Sequence, residues 1–161
     1  MLTLYSWLEN SSFSIWVREA PTIWAFAMII TLHTFGMGVL VGASSVVDLR
    51  ILGIARGIPL GSMRTMFKIM WFGFWLNLVT GSILFAADAM TRGTSWLYLI
   101  KMILVGVGVA TIVLMRRNLY GEDDSVASPV VNDALRRLAV VSIVTWFAAV
   151  AAGRLLAYVQ V

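Results

Sequence analysis

The sequence predicts an all-α integral membrane protein, a four-helix transmembrane bundle with an N-terminal interfacial helix. Hydrophobic residues make up 60% of the 161 residues, and charged residues make up only 12%. An ordinary soluble domain carries about 25% charged residues, so this chain has too few to cover a soluble surface. The mean hydropathy of +0.90 agrees with this. The composition therefore excludes a soluble enzyme, a disordered chain and a nucleic-acid-binding domain.

The first twenty residues predict one or two short helices that lie in the outer membrane interface. Large apolar side chains such as Tyr5, Trp7 and Trp16 are mixed there with Ser, Asn and Glu. Trp and Tyr are enriched at membrane–water interfaces. The segment is not a signal peptide, because it has neither a basic start nor a small-residue cleavage pattern.

Four later stretches have the ~20 predominantly apolar residues that a transmembrane helix needs. They cover residues 21–47, 67–89, 95–115 and 135–159. Pro21 suits the first turn of the first span, and Asp133 is the predicted N-cap of the fourth. Each span must be helical, because lipid offers no partner to an unpaired backbone group. Residues 118–133 form the one clear linker, and residues 1–161 are interpreted as a single domain.

Basic residues predict how the bundle is oriented. Eight of them flank the segments between spans one and two and between spans three and four: Arg50, Arg56, Arg64, Lys68, Arg116, Arg117, Arg136 and Arg137. The other side has only Arg18, Arg92 and Arg154. The positive-inside rule therefore places both basic segments in the cytoplasm and both termini outside, together with the short turn at 90–94. The acidic residues 122–124 of the inner loop carry little weight in this rule.

Residue counts exclude several kinds of chemical site. The chain has no Cys, which excludes disulfides, thiolate zinc sites, iron–sulfur clusters and Cys-attached haem. It has one His, so a single copy cannot supply two His ligands. No nucleophile–base pair, phosphate-binding loop or carboxylate dyad can be assembled. The Met residues are scattered, which favours filling of the core or interface over a copper relay.

His33 is the strongest candidate for a functional residue. It lies ~18 Å from the outer end of the first span, near the membrane midplane, where an ionisable group is costly. Its imidazole is either hydrogen-bonded to a neighbouring helix or an axial ligand to haem or another metal. Gly36, one turn away on the same face, either leaves space for a cofactor or allows close helix packing.

Three further ionisable residues lie in the outer halves of the spans. Lys101 is ~9 Å inside the third span. It either extends its ammonium to the headgroups or serves as a neutral nitrogen ligand or proton carrier. Asp88 continues an inward-facing stripe, Asn77, Gly81, Leu84 and Asp88, on the second span. Asp88 is expected to form a structural ion pair at the outer edge, with Lys101 or with Arg154. Arg154 otherwise extends to the outer surface.

Two pairs of small residues at i, i+4 indicate close helix contacts. Gly38 and Gly42 form such a pair in span one, and Ala149 and Gly153 form another in span four. The spacing is typical of helix packing in membranes. Each pair marks either a contact within the bundle or a seam between two copies.

The first span also carries a recognisable pattern. It contains the pair Leu32-His33 and ends in Asp48-Leu49-Arg50-Ile51-Leu52-Gly53. This resembles a family of small, uncharacterised bacterial inner-membrane proteins with a Leu-His pair and a DLR-x-LG element. The resemblance covers about Ile15 to Arg117. It implies a multi-pass protein of the bacterial inner membrane, for which the positive-inside rule places both termini on the periplasmic side.

The arrangement of spans and motifs is more distantly similar to that of copper-resistance D membrane domains and of the haem-associated membrane protoporphyrinogen oxidase of bacteria. The oxidase family has a Leu-His in an early span and a Trp-Leu run followed by Lys in a later one. His33 matches the first of these, and Trp96-Leu97 followed by Lys101 resembles the second, with extra residues before the Lys. The resemblance implies that the His and the Lys bind haem. The family's PRL-type motif is replaced here by Asp48-Leu49-Arg50, so the oxidase activity is not carried over.

Two hypotheses about function follow. In the first, the bundle binds b-type haem with His33 as axial ligand and serves as an electron-transfer or redox subunit. The second ligand is then Lys101 or His33 of a second copy. In the alternative, the protein is a non-catalytic anchor, assembly factor or copper- or small-solute-handling protein without haem. The expected partners are the lipid bilayer and a second copy or a redox subunit, and no nucleic acid.

Overall fold

A computed structural model describes residues 2–121, 130–156 and 158, which form seven α-helices, a short 3-10 turn and no strand. The helices are α1 (Leu2–Glu9), α2 (Ser12–Glu19), α3 (Phe26–Ile51), α4 (Met63–Ala87), α5 (Ala89–Thr94), α6 (Trp96–Tyr120) and α7 (Asp133–Leu155). The 3-10 turn, Leu60–Ser62, precedes α4. The acidic residues 122–124 and the predicted end of the fourth span near residue 159 lie outside the described residues.

The four long helices are α3, α4, α6 and α7, and they confirm the predicted all-α membrane bundle. They contain 26, 25, 25 and 23 residues and are apolar enough to cross a membrane. At ~1.5 Å per residue, each exceeds the ~30 Å of a bilayer's hydrocarbon core. Large side chains on their outer faces, such as Phe72, Ile103 and Phe147, are more than half exposed. The protein is therefore a multi-pass membrane protein with lipid-facing apolar surfaces.

Three details of the helix ends differ from the sequence prediction. Pro21 does not begin the first span, because residues 21–25 form bends and turns. The Thr22 N–H donates to the Ala20 carbonyl at 2.7 Å, and the Ala25 N–H donates to the Thr22 carbonyl at 3.4 Å. The N-cap of α7 is Asn132, whose side chain accepts from the Leu135 N–H at 2.9 Å. Asp133 is instead the first residue of that helix. The predicted turn at 90–94 lies within the short helix α5.

The long helices pack as two pairs, α3 with α4 and α6 with α7, joined through α3 and α7. Gly73 allows the first pair to approach closely: a Cβ there would lie 2.8 Å from the Leu40 nitrogen and 2.9 Å from the Gly36 oxygen. Gly108 does the same for the second pair, where a Cβ would lie 2.7 Å from the ring of Trp146.

The two ends of the bundle are built differently. The basic end, defined by the 3-10 turn and the eight basic residues, is filled by a buried apolar core that includes Met63, Phe67 and Tyr120. The Tyr120 hydroxyl donates to the Leu60 carbonyl at 2.8 Å and closes this end. The opposite end, called the α5 end, is covered by α1 and α2, with Val17 packed against Leu84 and Ala87.

The two predicted small-residue pairs have different surroundings. Gly38 and Gly42 are exposed, and a Cβ at either would meet nothing within 4 Å. This pair therefore makes no helix contact within the described bundle, and a seam between two copies stays a prediction. Ala149 is buried, and Gly153 lies against the side chain of Lys101.

Candidate functional site

A cavity of about 920 Å³ lies between the four long helices, toward the α5 end. Ligand sites in proteins commonly measure ~300–1,000 Å³. Leu40 and Trp146 line the cavity and also belong to the buried core, so they close it toward the basic end. The ionisable and amide side chains on its wall are His33, Asn77, Asp88, Arg92, Tyr98, Lys101 and Arg154. The stripe of α4 that was predicted to face inward lines this cavity along its whole length.

The imidazole of His33 is hydrogen-bonded to Thr80 of the neighbouring helix α4, which is the first of its two predicted roles and also fixes its orientation. His33 Nδ1 lies 3.0 Å from Thr80 Oγ1, and the same hydroxyl donates to the Leu76 carbonyl at 2.7 Å. A threonine hydroxyl has one proton, so Thr80 Oγ1 accepts from Nδ1–H. This tautomer leaves the lone pair on Nε2, the nitrogen available to a metal or a proton.

Gly81 provides the space that the imidazole occupies. A Cβ at Gly81 would lie 3.1 Å from His33 Cε1, so a larger residue would press against the ring. Gly36 has a different place: a Cβ there would lie 2.8 Å from Asn77 Nδ2 and 3.1 Å from Leu76 Cγ. Gly36 is not among the residues that line the cavity. Of its two predicted roles, the geometry matches close helix packing.

The Lys101 side chain extends across the bundle to α7. Its Cε and Nζ lie 3.5 and 3.6 Å from the position of a Cβ at Gly153. The side chain is partly buried and borders the cavity. Its methylenes therefore run between helices and not along the lipid surface. Its ammonium lies beside Gly153 of α7, the residue that precedes Arg154.

Asp88 has a different partner from the two predicted ones. Its Oδ2 lies 3.1 Å from Nε of Arg92, four residues further along the chain. Asp88 lies between α4 and α5 and Arg92 lies in α5, so the helical i, i+4 spacing brings the two side chains together. Among the described residues no ion pair joins Asp88 to Lys101 or Arg154. The predicted pairing of Asp88 with Arg154 is thus replaced by a pair with Arg92.

The cavity wall carries more positive than negative charge. Arg92, Lys101 and Arg154 face a single acidic residue, Asp88, which is already paired with Arg92. No described acidic side chain lies within 4.0 Å of Lys101 or Arg154. The rest of the wall is mostly apolar, with Ile30, Phe74, Leu78, Met102 and Trp146 among its residues. Such a site suits a ligand with a large apolar body and acidic groups at the α5 end.

The metal-ligating side chains near His33 also limit which metal could bind there. The described residues contain no group of three or more His, Cys, Asp or Glu side chains that could hold a metal ion. A metal held only by His, Cys, Asp or Glu side chains therefore has no site among the described residues, whereas haem iron brings most of its own ligands.

Two residues of this site were not singled out from the sequence. Thr80 gave no signal, because a Thr within an apolar span is unremarkable and its contact to His33 depends on helix rotation. Arg92 follows Asp88 at i, i+4, a spacing typical of a helical ion pair. That spacing could have identified the pair had the 90–94 segment been recognised as helical.

Comparison with known proteins gives no match: no family model, no curated protein and no solved structure is similar to this chain.

Proposed function

We propose that this protein binds b-type haem in the cavity of its bundle and serves as an electron-transfer subunit. The observation that carries the proposal is the contact between His33 Nδ1 and Thr80 Oγ1 at 3.0 Å. It supports a tautomer in which Nε2 of the only imidazole in the chain is available as an axial ligand. When bound, haem supplies reversible one-electron transfer.

The residues around His33 fit such a group. Gly81 leaves room for the imidazole, and a side chain there would displace the ring. Lys101 and Arg154 have no acidic partner within 4.0 Å among the described residues, and they can bind carboxylates at the α5 end. Phe74 and Trp146 cover the apolar part of the wall and exclude water there.

The second axial position has two proposed occupants. One is Lys101, in its neutral form, and the other is His33 of a second copy. We favour Lys101 as a carboxylate partner, because its ammonium lies beside α7 and next to Arg154.

The positive charge of the cavity favours a second function, the binding of an amphipathic anion without haem. Lys101 and Arg154 would then hold the acidic group, and His33 would be a hydrogen-bonding side chain on the wall. This corresponds to the small-solute-handling hypothesis. In either case we propose that the protein lies in the bacterial inner membrane with its basic end in the cytoplasm, as its distribution of Lys and Arg favours.

An absorption spectrum tests the proposal. Protein purified from cells supplied with ample haem is expected to show a Soret band whose visible bands change on reduction. His33→Leu keeps the apolar bulk and removes the nitrogen, so it is expected to fold and to lose these bands. A colourless wild type would reject the haem proposal and leave the anion-binding function.

A further inference from the structure

Asp48 is a buried carboxyl group in the part of α3 that approaches the basic end. Its residue exposure is 1%, and no other described acidic residue is buried. The residues at i−1 and i+3, Val47 and Ile51, belong to the apolar core. The group therefore lies inside the bundle, separate from the cavity that contains His33.

The carboxyl group is the end of a short chain of hydroxyl groups. Ser44 Oγ donates to Asp48 Oδ2 at 3.4 Å, and Ser44 Oγ lies 3.2 Å from Ser142 Oγ of α7. When Asp48 is ionised, Ser44 gives its single proton to the carboxylate and Ser142 donates to Ser44. Both serines are buried. The other carboxyl oxygen, Asp48 Oδ1, has no hydrogen-bond partner among the described residues.

The charged and titratable groups around this cluster either contact other groups or are exposed. On α3 the Arg50 side chain donates to the Ile58 carbonyl, and on α4 Arg64 lies over the ring of Tyr120, 4.6 Å from its centroid. On α7 Arg136 pairs with Asp133 at 3.8 Å. The remaining basic residues of α4, α6 and α7 near this end, Lys68, Arg116, Arg117 and Arg137, are exposed. The Tyr120 hydroxyl of α6 donates to Leu60.

The charge state of Asp48 follows from these contacts. Among the described residues, no basic side chain lies within 4.0 Å of the carboxyl group. An ionised carboxylate without a cation is strongly disfavoured inside a membrane protein. Ser44 donates to one carboxyl oxygen, and the other oxygen has no partner among the described residues. These surroundings therefore accommodate Asp48 in its neutral, protonated form.

The hydroxyl chain leads toward the cavity. Leu40 and Ser44 are four residues apart on α3, and Ser142 and Trp146 are four residues apart on α7, so each pair shares a helix face. Leu40 and Trp146 line the cavity. Ser44 and Ser142 therefore lie one helical turn beyond the cavity wall, between it and Asp48.

We propose that Asp48 is a proton-binding site that exchanges its proton with the cavity through Ser44 and Ser142. For uptake, a hydronium ion that passes the cavity wall between Leu40 and Trp146 gives a proton to Ser142 Oγ and becomes water. The proton of Ser142 then passes to Ser44 Oγ, and that of Ser44 passes to Asp48 Oδ2. Release follows the reverse order. Each serine ends with one proton, only O–H bonds form and break, and no electron moves. The proposal does not depend on haem.

Infrared spectroscopy of the purified protein tests the first part of the proposal. A protonated carboxyl group has a C=O stretch outside the amide region, whereas exposed carboxylates at neutral pH do not. We expect this band in the wild type, a shift when aspartate is isotope-labelled at its carboxyl carbon, and loss of the band in Asp48→Asn. Asp133→Asn, at an exposed carboxylate, is the matched control and should keep it. The isotope shift requires no substitution, so it remains decisive even if Asp48→Asn does not fold. Absence of a labelled band would overturn the proposal.

Transfer into heavy water tests the path. The band is expected to shift as the carboxyl proton exchanges, and Ser142→Ala is expected to slow that shift while leaving the band in place. Ser82→Ala removes an exposed hydroxyl that is bonded only to the Leu78 carbonyl, and it should exchange at the wild-type rate. An unchanged exchange rate in Ser142→Ala would show that the proton reaches Asp48 by another route and would overturn the relay.

Discussion

Thr80 Oγ1 lies 3.0 Å from Nδ1 of His33 and joins α4 to α3 at the wall of the cavity. Because the hydroxyl donates to the Leu76 carbonyl, it can only accept from the imidazole. The contact thus determines which imidazole nitrogen is available to a ligand. The functional proposal depends more on this relationship than on the presence of a histidine in an apolar span.

Removal of the Thr80 hydroxyl should weaken haem binding without unfolding the bundle. Thr80→Val keeps the shape of the side chain but no longer selects the tautomer, and loss of such a supporting hydrogen bond typically costs ~10–100-fold in metal affinity. Haem titration of the purified variant measures the change. The control is Thr31→Val, since Thr31 donates to the Ala27 carbonyl and does not contact His33. Equal dissociation constants for the two variants would contradict this role of Thr80.

Two substitutions of Lys101 distinguish a lysine that pairs with a carboxylate of the ligand from a lysine that serves as an axial ligand. If its ammonium binds a carboxylate, Lys101→Met should lose about 1.5–3 kcal/mol of binding free energy, whereas Lys101→Arg should retain most of it. Lys68→Met is the matched control, because Lys68 is the only other lysine and is exposed near the basic end. Haem titration gives the affinities. If Lys101→Arg instead changes the visible bands as strongly as Lys101→Met does, Lys101 is an axial ligand.

Gly73 is predicted to be essential for the contact between α3 and α4. Gly73→Ala would place a Cβ 2.8 Å from the Leu40 nitrogen, and backbone atoms cannot move aside as a side chain can. Overpacking of this kind costs ~1–3 kcal/mol. The expected result is a lower melting temperature in detergent. Gly42→Ala, where nothing lies within 4 Å, should melt no lower than the wild type. Equal melting of the two variants would show that the helices are further apart than described.

The orientation of the bundle can be tested with fused reporters. Eight basic residues lie at one end, so a reporter fused after Arg117 should be cytoplasmic and one fused after Val161 periplasmic. Alkaline phosphatase, which is active only outside the cytoplasm, and a fluorescent protein that matures inside provide the two signals. The opposite pattern of activity would place the α5 end and the mouth of the cavity in the cytoplasm.

The sequence was sufficient to predict the four spans and the face of α4 that lines the cavity. Hydropathy over ~20 residues identifies a span regardless of its neighbours, and the spacing of Asn77, Gly81 and Asp88 identifies a polar face. The interaction partners of these residues were harder to predict from the sequence. Asp88 was expected to pair across the bundle, but a local helix supplies Arg92 at i, i+4.

The contacts of His33 and Asp48 could not be predicted, because they depend on how one helix is rotated against another. Nothing in the sequence indicates that Thr80 faces His33 or that Ser142 faces Ser44. Asp48 also lies beside Arg50 near the end of a span, which suggests an interfacial residue. Its burial arises from the packing of α7 against α3. Gly36 could have faced either the cavity or α4, and only the packing places it against Leu76 and Asn77.

Chemical rescue tests most directly whether His33 is the axial ligand. His33→Ala removes the imidazole and leaves a space beside Gly81 that free imidazole can enter. We expect this variant, supplied with haem, to lose the visible bands of the wild type and to regain them when imidazole is added, while His33→Leu, whose bulk fills the space, does not respond. If His33→Ala binds haem with the wild-type spectrum before imidazole is added, His33 is not the ligand and the central claim is wrong.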